Sequence, residues 1–570
     1  MPYFYVVIFD IFCVSIVALF LNNNCKIKLN HAFLISLCLC GLFLYTVYLI
    51  FPIWFLRYFI FGYLIIIIFA AFKFFLDNKI SKENLNLLVE FFVLSFLISI
   101  FTWNRYYLDE DELNHWGKIV KYFHITQNSD FKELPVYLYH KPFLPLIHFF
   151  NSFFSAFRED LSIFSNNLFI ISSFYFAFHH DKISFVKRLC LFIFFYLCLN
   201  NLSFGLVSIY ADPIISVLYL SLIIYIYSLK DKFKLEDFFI IFILSISLFL
   251  LHRSGIVYVL FAFSLWFILH GYKNKKFLAL FFFINLILIF YVSMFRFNNY
   301  DFFDPYSLKS FLSKFLFIDI YFSDFGVSFN TILSFIGIGN YKFPELNTNV
   351  LFWLAVIFLI LVYNYKKNLK IIIFIMLQFC LYSFIIYIFK IKTDELSILV
   401  YGRYIGIFFL SALLFSIFVH FTNNNKSNLN ALLIIFFLIF SVTPNKTYGF
   451  LLSNNLFLLQ QQNQDFWSQK QAIKKIYSRL NPDYKVFVVQ GSAKSKTTLY
   501  HPSMPFSLMN FELFPIVHTW MIKIIPLSQY VNELQNFFQS NIIFYNLTLD
   551  EKKKIKELNS RNDLIYLNFD

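Results

Sequence analysis

The feature that most constrains this chain is a repeated apolar block. Stretches of roughly 17–22 residues with almost no charge recur along it, the length an α-helix needs to cross about 30 Å of hydrocarbon at about 1.5 Å per residue. Composition agrees. Hydrophobic residues make up 59% of the 570 and charged residues 14%, where a soluble protein carries about 25% charged residues. Phe alone supplies 86 residues, which suits lipid-facing and interhelical filling. The first block has no basic segment ahead of it and no small-x-small cleavage pattern, so a retained helix is expected rather than a cleaved signal.

Candidate spans fall at roughly 3–21, 31–50, 54–77, 87–103, 161–180, 185–205, 213–229, 236–251, 255–270, 277–295, 350–366, 370–389, 403–421 and 429–446, about fourteen helices in all. The loops between them decide orientation. Among the short loops, one alternate set holds Lys26/Lys28, Lys79/Lys82, Lys182/Lys187/Arg188, Lys230/Lys232/Lys234, Lys273/Lys275/Lys276, Lys366/Lys367/Lys370 and Lys426; the other holds little beyond Arg253, Lys390 and Lys392. The positive-inside rule puts the first set in the cytoplasm and both termini outside. Counting 142–157 as a span would break this alternation. That stretch is therefore expected to be a helix lying in the outer interface or dipping partway in.

The same topology explains the net charge of +14. The lysines sit between apolar blocks, with no long basic cluster or aromatic-interleaved basic stripe, so nucleic-acid binding is not expected. The seven cysteines (Cys13, Cys25, Cys38, Cys40, Cys190, Cys198 and Cys380) lie in or beside apolar blocks. They imply neither a disulfide framework nor a zinc site.

Three regions remain outside the spans: a loop at 104–160, a second at 296–349 and a tail from 447 to 570. The tail mixes helical patterns at Gln469–Leu480 and Asp550–Leu558 with strand-like runs at Lys485–Gln490, Ile542–Tyr545 and Leu564–Leu567. The fold class read from this is an all-α polytopic membrane domain, 1–446, with a small external α/β domain, 447–570. Gly491-Ser-Ala-Lys-Ser-Lys-Thr497 resembles a phosphate loop only in composition. Its spacing is not Gly-x4-Gly-Lys-Ser/Thr, so nucleotide binding is not expected.

Chemistry concentrates in five places, all on the outer side by this topology. The first is Asp109-Glu110-Asp111-Glu112, directly after the span ending near Trp103. Four adjacent carboxylates repel one another unless they are solvated, paired or partly protonated. Leu113, Trp116, Ile119, Val120 and Phe123 follow at helical spacing. That helix would place His115 one turn from Asp111 and Glu112, with the carboxylates at its positive end, on a helix expected to lie along the membrane surface. The second is His140-Lys141-Pro142, where Lys141 could meet a phosphate or simply anchor at headgroups. The third is Tyr210-Ala-Asp212-Pro213, good helix-start chemistry that could also bring Asp212 to a site. The fourth is His252-Arg253-Ser-Gly255 in a hairpin, where a cation between helices needs a partner such as lipid phosphate. The fifth is Tyr401-Gly-Arg403-Tyr404, read as opening a span, where Arg403 could grip phosphate bidentately. Carboxylates, cations and long apolar helices together suit sugar transfer. A carboxylate takes a proton from an acceptor hydroxyl, cations stabilise a leaving phosphate, and the helices house a lipid tail.

In this order the motifs resemble the GT-C superfamily of membrane glycosyltransferases, its family 39 and mannosyltransferase-like group in particular. The likeness rests on Asp111-Glu112-Leu-Asn-His115-Trp116 opening the first large external loop and on His140-Lys-Pro-Phe-Leu-Pro-Leu146 leading a surface helix. It continues with Tyr210-Ala-Asp212, the turn at Arg253, Arg403-Tyr404 near a late helix start, and an external C-terminal domain. The resemblance implies a polyprenyl-phosphate-linked sugar as donor, with Asp111 as catalytic base and Glu112 supporting it beside His115. It implies that Arg403 binds the lipid phosphate, with His140, Lys141, Asp212, Arg253 and Tyr404 lining the substrate site. Some members use a divalent cation, Mg or Mn, which here would fall to Asp111 and Glu112; others do not. This chain places three additional helices before the acidic loop and has Lys141-Pro142 where many members have two prolines. The expected setting is a bacterial inner membrane with the site facing outward. The acceptor stays open among glycan, lipid and protein. Competing readings are an O-antigen-type polymerase or ligase, against which the structured tail argues, and a lipid-linked glycan transporter or flippase. The latter should show broken helices or ionisable residues deep in the spans.

Overall fold

The computed structural model describes residues 2–51, 55–77, 80–107, 116–125, 142–155, 157–179, 185–202, 211–229, 234–252, 255–270, 350–362, 365–386, 397–423, 468–476, 479–481, 484–492, 523–537, 540–558 and 565–567, and singly 113, 283, 509, 511 and 513. The chain divides into two compact units, Met1–Trp103 with Lys141–Tyr448, and Asn104–His140 with Gly449–Asp570.

The first unit is helical. Its described helices are α1 (Tyr3–Cys25), α2 (Leu29–Ile50), α3 (Phe55–Asp77), α4 (Lys82–Thr102), α6 (Phe143–Asn151), α7 (Glu159–Phe178), α8 (Phe185–Leu202), α9 (Ala211–Ser228), α10 (Leu235–Leu251), α11 (Gly255–His270), α12 (Val350–Val362), α13 (Tyr365–Ile386) and α14 (Ser397–Asn423). Among the described residues, six helices are long and apolar enough to cross a membrane: α1, α2, Phe55–Phe72 of α3, α4, α7 and α9. A helix is the economical form for such runs because it satisfies its own backbone polar groups where no water can. Both α7 and α9 form the centre. α7 is buried along its whole length and packs on α1, α2, α4, α6 and α9, while α9 packs on α10, α11 and α14 as well. On α3, by contrast, Ile65, Ile66 and Phe69 are each more than 60% exposed, as a lipid-facing helix requires. Arg188 of α8 pairs with Glu90 of α4 at 2.6 Å.

Segment 142–157 does not form a span. α6 has nine residues, about 14 Å of helix and under half the hydrocarbon thickness. It does not lie with one face open, as an interfacial helix would, because all nine residues are buried. It packs on α2 and α7. His148 Nε2 meets Asn166 Oδ1 at 2.8 Å and Asn151 Nδ2 donates to Ser165 Oγ at 2.7 Å. On the α2 side there is room only because residue 41 is glycine. A Cβ there would stand 2.6 Å from Ile147 Cδ1 and 2.7 Å from Phe143 Cζ.

The second unit holds α5 (Gly117–Ile125), a helix at 468–476, helices Leu527–Asn532 and Leu549–Leu558, and four strands. The strands are β1 (Lys485–Gln490), β2 (Lys523–Pro526), β3 (Ser540–Tyr545) and β4 (Ile565–Leu567). They form one parallel sheet in the order β2-β1-β3-β4, with Val488 opposite Ile524 and Ile543. Parallel strands need crossovers and cover on the sheet faces. The core is correspondingly Val489, Ile525, Tyr530, Phe537, Ile542, Phe544, Leu547 and Ile555.

Gly491 has a local structural role at the end of β1. Gly491 N–H donates to Tyr545 O at 2.9 Å, and a Cβ there would sit 2.5 Å from Asn546 O. The glycine lets the chain leaving β1 pass close to the end of β3. Ser492 N–H then donates to Glu551, which also takes the Thr548 amide at 2.8 Å while Thr548 Oγ1 accepts from the Glu551 amide. That is a capping box on Leu549–Leu558. Partial burial works against the Glu551 charge, but these donors outweigh it and hold the carboxyl below its usual range. Residues 493–497 lie outside the described residues.

One segment falls in a different unit from the one its sequence suggested. Residues 104–140, which read as part of the membrane domain, cluster with the C-terminal part.

Candidate functional site

Helix α5 forms where the apolar spacing predicts it. Leu113, Trp116, Ile119, Val120 and Phe123 are all 2% exposed or less. The opposite face departs from expectation, since a helix on a membrane surface would turn it to water. Here Lys118 is 0% exposed, Lys121 8% and Tyr122 5%. Residues from the C-terminal part cover it. Lys121 Nζ donates to Phe511 O at 2.6 Å and stands 4.6 Å from the centre of the Phe511 ring. Lys470 Nζ lies 4.7 Å from the Tyr106 ring and 5.5 Å from the Phe511 ring. The Tyr107 and Phe511 rings meet edge-on at 5.8 Å. Burial, with the neighbouring Lys121 charge, pushes the Lys118 ammonium down to about 7.

Asp109, Glu110, Asp111, Glu112 and His115 lie outside the described residues, as do His140, Lys141 and Arg253. Arg403 and Tyr404 lie on α14, with only their backbone described. α14 begins at Ser397, so Arg403 sits inside the helix rather than opening it.

Asp212 is the one predicted substrate residue whose side chain is described. Ala211 begins α9, so Asp212 and Pro213 occupy the first turn, where a carboxylate favours the helix dipole. It is buried, at 3% exposure, and within electrostatic reach of Tyr258 on α11. Tyr258 donates to the Tyr382 hydroxyl of α13 at 2.7 Å and packs its ring on Tyr219 at 5.0 Å. Tyr219 in turn donates to Gln378 Oε1 at 2.7 Å. Two buried hydrogen bonds, Tyr258 to Tyr382 and Tyr219 to Gln378, are thus joined by the packed rings of Tyr219 and Tyr258, with Tyr219 about 10 Å along α9 from Asp212. Sequence reasoning missed Tyr219, Tyr258, Tyr382 and Gln378. The available signal was Gln378, an amide inside an apolar block. Nearby, Ser216 of α9 and Ser411 of α14 meet at 2.9 Å.

Among the described residues, no group of three or more His, Cys, Asp and Glu side chains could hold a metal ion. No protein-family model, curated protein or solved structure matches the chain.

Proposed function

We propose that this chain is a membrane glycosyltransferase of the GT-C kind, moving a sugar from a polyprenyl-phosphate donor to an acceptor on the extracytoplasmic face. The observation that carries the reading is the setting of the acidic segment. Asp111 and Glu112 precede α5 by a few residues in the sequence, and α5 buries both its apolar stripe and Lys118, Lys121 and Tyr122. A general base must be held within a fraction of an ångström of its proton, and an acidic stretch with no role would not need such an anchorage. Asp212, buried at a helix start with a tyrosine network behind it, is the second support.

In this reading Asp111 takes the acceptor hydroxyl proton while the acceptor oxygen displaces the lipid phosphate at the sugar's anomeric carbon. Glu112 and His115 orient the base. Arg403 with Tyr404, and Arg253, His140 and Lys141, receive the phosphate and sugar. If a divalent cation takes part, Mg or Mn, Asp111 and Glu112 are its ligands. The proposal carries with it about fourteen spans, a bacterial inner membrane, and termini and C-terminal domain on the outer side.

The test compares the cell's glycans with the intact chain, without it, and with Asp111→Asn. Loss of one glycan in both altered strains, with the variant still accumulating in the membrane, is the expected result. Normal glycan with Asp111→Asn overturns the assignment of the base. An unchanged glycan profile without the chain overturns the transferase reading. Accumulation of undecorated lipid-linked repeat units would favour a polymerase or ligase instead.

A further inference from the structure

We infer that Asp10 is a proton-binding site inside the helical unit, reached from the Tyr3 end along the seam between α1 and α4. The inference goes beyond the transferase reading and uses none of its residues. α1 turns Tyr3, Val6, Val7, Asp10 and Ile11 inward, all buried, while Tyr5, Ile8 and Phe12 are exposed. Asp10 thus stands on the packing face of a helix able to cross a membrane, about 10 Å in from Tyr3. It is 2% exposed, and its Oδ2 has no hydrogen-bond partner. An ionisable side chain at such a depth is costly, and it marks a route for a proton, an ion or a substrate.

The two helices are tied at both ends. Tyr3 Oη and Thr102 Oγ1 meet at 2.6 Å, and Asn84 Nδ2 donates to Asn22 Oδ1 at 3.1 Å. They therefore run antiparallel and in step. Asp10 is seven residues in from Tyr3, and Ser95 is seven in from Thr102, so equal helical rise sets them at the same depth. Ser95 is fully buried, and its Oγ also has no partner. Towards the helix ends the polar groups continue. Tyr3 Oη lies 3.0 Å from the Ser99 carbonyl, which also accepts from Thr102 Oγ1 at 3.1 Å. At the mouth Arg158, 31% exposed, pairs with Asp160 at 2.7 Å and lies 5.3 Å from the Tyr3 ring. A ladder of exchangeable protons thus leads from a partly exposed ion pair to the depth of the carboxyl.

Among the described residues, no cation faces Asp10. On α1 its titratable neighbours are Tyr3 and Cys13; α2 brings Cys40, to which Tyr63 of α3 is hydrogen-bonded. At the start of α7 the Arg158–Asp160 pair acts on Tyr3, and on α6 His148 is bound to Asn166. Without a counter-charge the carboxylate is far costlier here than the neutral acid. The carboxyl therefore exchanges a proton with the ladder, an O–H bond forming as the carboxylate accepts it and breaking as it is returned.

The experiment is infrared difference spectroscopy on the purified full chain in phospholipid vesicles. The parent is compared with Asp10→Asn and, should that variant not accumulate, with Asp10→Glu. The expected difference is the carbonyl stretch of a protonated carboxyl, lost with Asn and displaced with Glu. Transfer to heavy water should shift the parent band as the proton exchanges. Tyr3→Phe removes the hydroxyl at the head of the ladder and should slow that shift by about fivefold, one hydrogen bond's worth. Tyr5→Phe, on the exposed face, should leave the rate unchanged. A difference made only of carboxylate bands overturns the proton site. An acid band that does not shift in heavy water overturns its access, and a parental rate with Tyr3→Phe overturns the route.

Discussion

The external loop read from the sequence contains two nine-residue helices, α5 and α6, that look alike on paper. Each is short; α5 was expected along the membrane surface, and α6 in the outer interface or dipping partway into the membrane. α6 is buried at all nine residues and α5 from Gly117 to Phe123, in different units and by different means. α6 is enclosed by neighbouring helices through close packing at Gly41 and two side-chain hydrogen bonds to α7. α5 hides its polar face under residues hundreds of positions away, with ammonium groups set on a carbonyl and on aromatic rings. An apolar stripe therefore fixes that one face is covered. It says nothing about the other face when the cover comes from far along the chain.

The contrast can be broken by substitutions that should loosen one helix and spare the other. The largest effect is expected from Trp116→Ala. Removing a buried indole costs about 3–5 kcal/mol and should open 104–140 and the C-terminal part to protease while α1–α4 and α7 stay protected. Peptide mapping after brief digestion reads this, and equal loss of protection in both units would contradict the division. Gly41→Leu comes next. With 2.6 Å already separating a Cβ from Ile147, the larger side chain should cost about 1–3 kcal/mol and lower the thermal midpoint of the helical unit without opening the second unit to protease. Asn166→Leu strips His148 of its partner at 2.8 Å, a loss of about 1–2 kcal/mol, seen in the same thermal measurement.

A further effect is one of pH and belongs to α5 alone. Lys118 is depressed to about 7, below its unfolded value of about 10.4. Between these limits the unfolded chain holds a proton that the folded one lacks, so stability rises with pH from about 7 towards 10, by at most about tenfold in the unfolding equilibrium per pH unit. Below about 7 both states are protonated and the contribution levels off. Lys121→Met removes the neighbouring charge and should move the lower limit upward. Melting of the second unit followed across this range checks both statements, and a midpoint that falls from pH 7 to 9 would contradict them.

Much of the helical part was legible beforehand because crossing hydrocarbon demands length, and length is visible in a sequence. Tyr3–Cys25, Leu29–Ile50 and Phe55–Asp77 fall close to their expected blocks. In the tail, Lys485–Gln490 and Leu549–Leu558 did too, since β-branched runs and capped polar helices are local signals. β2 was missed: Lys523-Ile-Ile-Pro526 is four residues long and means little until β1 stands beside it. For the site, the order of motifs could be read but not their partners. Nothing local to Lys121 points to Phe511, and nothing local to Tyr258 points to Tyr382. Asp212 could be placed at a helix start from Pro213, whereas its neighbours on α11 required the fold.

The hydrogen bond from Lys121 to Phe511 joins residues 390 positions apart. At about 5–20 residues per second of synthesis, the acidic segment and α5 wait roughly 20–80 s for the residues that cover them. During that interval the ribosome delivers the helices between them. A chain interrupted before Phe511 lacks the carbonyl and the ring on which Lys121 is set. The unit that holds the proposed base thus closes only after nearly all of the protein has been made, which ties competence to completeness.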